Sequence, residues 1–189
     1  MGLANWLTVL RIALIPVFVS LLVYKRRDAA LVVFVGAALT DLLDGWVARR
    51  RGSTRLGAFL DPMADKLLLA ASFVTLAYLR ALPFWIAAIV LSRDVVLVAG
   101  ALAIHMAGGL LHPRPSWAGK AATLCQVLTV LAGLLARNGD VGVAGTAVMW
   151  LAAGFTLVSG LQYVRTGMRY LNAPIVEEDG APHERPLVR

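Results

Sequence analysis

Six long apolar runs alternate with short polar breaks along the chain, and this spacing predicts an all-α protein whose helices cross a membrane six times. The runs fall at about residues 6–24, 29–48, 58–79, 82–106, 117–136 and 141–164, each long enough to span a bilayer as a helix. The breaks are charged or rich in turn formers: Lys25 to Asp28, Arg49 to Arg55 around Gly52 and Ser53, the stretch GGLLHPRPSWAGK, and Arg137 to Asp140. In the last run, Gly142, Gly145, Gly154 and Gly160 are expected to allow close helix contact. From Asn172 the chain turns polar, so the expected division is a membrane domain over 1–171 and a polar flexible tail over 172–189.

The polar exceptions inside the runs carry the chemistry. Asp41 and Asp44 stand near the end of the second run, and Asp61 and Asp65 near the start of the third. An acid near a bilayer centre costs about 2.5–3.5 kcal/mol, so four uncompensated ones approach ~10 kcal/mol. At about 100° per residue, Asp41, Asp44, Gly45 and Ala48 share one helical arc, while Gly57, Asp61 and Asp65 form a stripe on the next helix. Folded as a hairpin, the two stripes bring the acids together. A set of oxygen ligands without His or Cys suits two hard cations, Mg2+ or Mn2+, able to clamp a phosphoryl group. Gly45, Ala48 and Gly57 leave room for a bulky ligand on the acid faces, and Arg49 ends the first stripe with donors suited to a phosphate. The competing reading is structural, with the acids paired to Lys66 and nearby arginines. Lys66, next to Asp65, is expected to temper its charge.

Three further polar sets interrupt apolar sequence. Asn5, Thr8 and Arg11 recur at helical spacing, so Arg11 points inward to a partner unless it snorkels to the surface. Arg93 and Asp94 sit mid-run; neighbours on a helix diverge by about 100° and need not pair, leaving Arg93 for a substrate phosphate or for an acid on another helix. Lys120, Thr123 and Gln126 make a stripe at the start of the fifth run, where Lys120 is a second candidate for an anionic acceptor. His105 and His112 flank a Gly-rich break and make a weak metal signal.

Composition removes other classes. Hydrophobic residues make up 59% of the 189-residue chain and charged residues 15%, and mean hydropathy is +0.75, values of a polytopic membrane protein. The net charge of +7 has no polar domain on which to form a nucleic-acid face, so no nucleic-acid partner is expected. The single Cys125 excludes an internal disulfide and reads as a packed residue. The first run lacks the basic start and small-residue cleavage site of a removable signal peptide. Flanking basic residues number eight on the side shared by both termini (Arg49, Arg50, Arg51, Arg55, Arg114, Lys120, Arg165, Arg169) and five on the other (Lys25, Arg26, Arg27, Arg80, Arg137). That bias puts both termini, and a polar metal-binding cavity lined by the acids, on the cytoplasmic side of the cell inner membrane or plasma membrane.

The pattern DxxDGxxAR, seven residues, then GxxxDxxxD, filled by Asp41, Asp44, Gly45, Ala48, Arg49, Gly57, Asp61 and Asp65, resembles the signature of the CDP-alcohol phosphatidyltransferases. The spacer is one residue shorter than the commonest form, and the difference falls in the polar turn 50–56. The resemblance implies a homodimeric membrane enzyme that moves a phosphatidyl group from CDP-diacylglycerol to an alcohol and releases CMP. It also implies metal ligation by Asp41, Asp44, Asp61 and Asp65, with Asp65 as general base.

ANWLTVLRIALIP is similar to the NxLTxxR segment bordering the nucleotide site in phosphatidylglycerophosphate and cardiolipin synthases of that family, which implies donor contacts from Asn5, Thr8 and Arg11 beside Gly45, Ala48, Arg49 and Gly57. GKAATLCQ resembles a phosphatidylglycerophosphate synthase segment, implying glycerol 3-phosphate as the phosphorylated acceptor, held by Arg93, Lys120 and Thr123. Ala101 stands where that subfamily usually has a second arginine, and the RDV sequence at Arg93 resembles cardiolipin synthases, whose acceptor is phosphatidylglycerol. A cation channel or proton-coupled transporter also places acids in a membrane, but a permeation path does not require Gly45, Ala48, Arg49 and Gly57 at these spacings.

Overall fold

A computed structural model of the chain describes residues 3–51, 55–106, 116–136 and 140–171; the side chains of 3–8, 41–51, 55–62, 101, 103–105 and 169–171 fall outside that description. The described residues form six α-helices and no β-strand: α1 Leu3–Val23, α2 Arg27–Arg51, α3 Arg55–Tyr78, α4 Phe84–Met106, α5 Trp117–Leu135 and α6 Gly142–Leu171. Each apolar run therefore holds one helix. The ends differ from the pattern for local reasons. Leu82 precedes Pro83, which disfavours helical backbone, so α4 begins at Phe84. No breaker follows Val164, and α6 continues to Leu171.

Specific contacts close the helix ends. Lys25 (φ 58°) and Arg80 (φ 56°) occupy the left-handed region more usual for glycine. After α1, the N–H of Arg26 donates to Leu21 and that of Lys25 to Leu22; after α3, Ala81 donates to Leu76 and Arg80 to Ala77. Ser116 caps α5 by accepting from the Gly119 N–H at 3.1 Å. The Arg27 guanidinium donates to the Ala136 carbonyl, so a cation at the start of α2 satisfies the end of α5.

The short turns over 24–26 and 79–83 fold α2 back on α1 and α4 back on α3. The most extensive contacts are α5 with α6 and α1 with α3, and α3 sits centrally against α1, α4 and α5. Phe18, Phe34, Phe73, Leu76, Ile86 and Val130 are fully buried among them, with the rings of Phe18 and Phe34 5.9 Å apart. Two of the four expected contact glycines serve that purpose. A Cβ on Gly145 would lie 3.2 Å from that of Ala132 on α5, and one on Gly160 would lie 3.5 Å from Arg93 Cγ on α4. Gly154 faces open space, and Gly142 serves its positive φ of 67° instead.

Outward faces are apolar: Val32, Val95 and Leu161 are all exposed, a surface suited to lipid rather than water. Among the described residues, Trp117–Leu135 and Gly142–Met168 are long and apolar enough to cross a membrane, while Val9–Val23 forms a shorter apolar helix. The expected tail over 172–189 lies outside the described residues.

Candidate active site

Arg11 is buried, with 3% of its side chain exposed, and meets Asp65 across the α1–α3 contact: Nη1 lies 2.9 Å from Asp65 Oδ1. Arg11 thus points inward to a partner, and snorkelling is ruled out for it. The Asp65 side chain is 39% exposed, so it is held by a cation yet remains reachable.

Lys66 does not serve Asp65 as expected. Its Nζ lies 3.3 Å from Asp94 Oδ1 on α4. Successive residues of a helix point about 100° apart, so on α3 Asp65 faces α1 while Lys66 faces α4.

Arg93 and Asp94, which adjacency on a helix left free to pair or not, do pair: Arg93 Nη1 donates to Asp94 Oδ1 at 2.8 Å. The long arginine stem folds back far enough to overcome the angular offset. Arg93 Nη2 donates to Ser159 Oγ on α6 at 2.9 Å. Gly119 of α5 closes over this pair, since a Cβ there would stand 3.4 Å from Ser159 Oγ and 3.8 Å from Arg93 Nη2. The Arg93 guanidinium is therefore enclosed by α5 and α6, and Asp94 links it to Lys66 of α3.

The polar stripe on α5 divides. Gln126 is buried and donates to Thr156 Oγ1 of α6 at 2.9 Å, a structural bond. Lys120 and Thr123 are exposed; the Lys120 ammonium lies 5.7 Å from the Trp117 ring centroid, and the Thr123 hydroxyl donates to the Gly119 carbonyl at 3.1 Å. Cys125 is half-buried. Ser159 is the residue the sequence reading missed. The signal was present, because Thr156, Ser159 and Tyr163 recur at helical spacing within an apolar run.

The side chains of Asp41, Asp44 and Asp61, and of Asn5, Thr8, Gly45, Ala48, Arg49 and Gly57, lie outside the described residues, as do those of Ala101 and His105 and the whole of His112. The backbone places Asp41 and Asp44 in the last part of α2 and Asp61 and Asp65 in the first half of α3. Among the described residues, no three His, Cys, Asp or Glu side chains converge. The four acids taken together are an all-oxygen donor set that fits a hard divalent ion.

Known proteins resemble this chain over most of its length. A family model described as CDP-alcohol phosphatidyltransferase matches residues 1–158. A protein of Mycobacterium tuberculosis (strain CDC 1551 / Oshkosh) named "Probable phosphatidylglycerophosphate synthase" is 35% identical over 175 residues, covering 89% of this chain and 82% of the relative. Proteins named "CDP-diacylglycerol--glycerol-3-phosphate 3-phosphatidyltransferase" are similar too. The one from Pseudomonas fluorescens is 40% identical over 185 residues, covering 90% of this chain and 92% of its own length. The one from Sodalis glossinidius is 34% identical over 171 residues, covering 87% and 93%.

Proposed function

Because the chain belongs to the CDP-alcohol phosphatidyltransferase family, we propose that it transfers the phosphatidyl group of CDP-diacylglycerol to glycerol 3-phosphate, forming phosphatidylglycerophosphate and releasing CMP. The observation that carries this reading is the similarity, over most of both chains, to relatives named for that activity. The acceptor hydroxyl oxygen forms a bond to the phosphorus that bears the diacylglycerol. The bond from that phosphorus to CMP breaks, and CMP leaves with the electron pair.

The carboxylates of Asp41, Asp44, Asp61 and Asp65 are the groups that would hold two divalent ions, Mg2+ or Mn2+. When bound, such ions neutralise the donor diphosphate and stabilise the charge on departing CMP. Asn5, Thr8, Arg11 and Arg49 hold the nucleotide and diphosphate end of the donor, and Gly45, Ala48 and Gly57 keep space for it. Asp65 takes the hydroxyl proton, and the ion pair at 2.9 Å with Arg11 fixes where its carboxylate stands, which matters because proton transfer requires close approach. Arg93, Lys120 and Thr123 bind the acceptor phosphate. The half-buried Arg93, framed by α5 and α6, supports this role.

In this reading all six helices cross the cell inner or plasma membrane, and two copies form a homodimer. Residues 1–171 make the membrane domain, and both termini and the acid cluster face the cytoplasm, where a soluble phosphorylated alcohol is met. The apolar outer faces support the membrane assignment, and the excess of basic residues on one side supports the orientation.

The test offers glycerol 3-phosphate and phosphatidylglycerol separately to purified protein with CDP-diacylglycerol, and identifies the lipid product by mass. Phosphatidylglycerophosphate is expected. Cardiolipin from phosphatidylglycerol, with no product from glycerol 3-phosphate, would replace the acceptor and leave the donor unchanged.

A further inference from the structure

We propose that Asp94 is a positioning residue for the acceptor: shared between Arg93 and Lys66, its carboxylate sets the Arg93 guanidinium toward the acceptor phosphate and ties that subsite to the helix bearing Asp65. This rests on the reading of Arg93 as an acceptor-binding residue.

Three observations carry it. Asp94 Oδ1 takes both cations, Arg93 Nη1 at 2.8 Å and Lys66 Nζ at 3.3 Å. One anion thus sits between α3 and α4, with Lys66 directly following Asp65 in sequence. Secondly, Arg93 is clamped from two sides. Nη1 is held by Asp94 and Nη2 by Ser159 at 2.9 Å, while Gly119 and Gly160 bring the backbones of α5 and α6 close to the side chain. A planar guanidinium fixed at two nitrogens has one orientation, unlike a free arginine at a surface. Thirdly, that orientation leaves a donor over. Arg93 Nε is buried and has no hydrogen-bond partner among the described residues, although buried donors are rarely left unmet. Two cations against one carboxylate leave the cluster with net positive charge. An incoming oxyanion would satisfy both the charge and the donor, as a phosphate monoester does.

If Asp94 served only to stabilise the fold, its loss would affect both substrates alike. Acting through Arg93, its loss should affect the acceptor alone. The experiment measures initial rates of full-length purified Asp94→Asn, Asp94→Glu and Arg93→Gln, varying glycerol 3-phosphate at saturating CDP-diacylglycerol and then the reverse.

Asp94→Asn is expected to raise the acceptor KM roughly tenfold, the size of effect that follows from weakening one charge-assisted hydrogen bond. The donor KM should stay within about twofold, and Asp94→Glu should recover most of the acceptor affinity by restoring the charge. Should Asp94→Asn fail to fold, Ser159→Ala removes the opposite clamp and is expected to raise the acceptor KM with the donor KM unmoved. A parallel rise in both KM values, or an acceptor KM unchanged while Arg93→Gln raises it, overturns the positioning role and leaves Arg93 in place. An acceptor KM unchanged in Arg93→Gln itself overturns the underlying reading as well.

Discussion

Replacing Arg11 by Met and Asp65 by Asn, singly and together, isolates the contact that joins the N-terminal helix to the acid stripe. At the observed 2.9 Å, two unit charges attract by roughly 6 kcal/mol at an effective dielectric of about 20 and by about 1.4 kcal/mol in bulk water. The pair lies between these limits, since Arg11 is 3% exposed and Asp65 is 39% exposed. Solvent at the carboxylate screens the attraction, and the buried guanidinium has already lost its hydration. A coupling of about 2 kcal/mol is the expected result, between those two limits and nearer the screened one. The assay is unfolding of the four proteins by a denaturing detergent in mixed micelles, followed by helix content. The coupling is the departure of the double substitution from the sum of the two single ones. Additivity to within about 0.5 kcal/mol would mean that the two side chains act independently, and Arg11 would then lose its part in fixing Asp65.

Further outcomes follow from other contacts. Gln126→Leu should destabilise the protein by about 1–3 kcal/mol by stranding the fully buried Thr156 hydroxyl; adding Thr156→Val should recover much of that loss, measured in the same unfolding assay. Arg80→Gly should raise stability by about 0.5–1 kcal/mol, because glycine accepts the φ of 56° without the side-chain clash; a drop in the unfolding midpoint would mean that the arginine contributes more than its strain costs. Asp41→Asn or Asp61→Asn should abolish transfer at any Mg2+ or Mn2+ concentration, because an amide lacks the charge to hold a hard ion; near-normal turnover of either would remove that acid from the metal set.

Much of the fold was legible because each helix is written as an apolar run that admits few charges. The costly exceptions to that rule drew attention to Arg11, Asp65 and Arg93. What the sequence withheld is the choice of partner. Lys66 and Asp65 are neighbours in sequence, yet they serve different helices because α1 and α4 flank α3 on different sides. Nothing local encodes that arrangement. Likewise Arg27 reaches the end of α5 across 109 positions, and Lys25 and Arg80 take turn positions where glycine would have been the signal. Ser159 was hidden by the apolar residues around it until α4 was seen to lie alongside.

The most direct measurement of the central claim is CMP release from CDP-diacylglycerol by the purified protein, with and without glycerol 3-phosphate and with and without a divalent ion. The expected result is CMP formed in step with phosphatidylglycerophosphate when acceptor and Mg2+ or Mn2+ are both present, and none after chelation. CMP release that continues unchanged in a chelator, or no CMP under any of these conditions, would contradict it.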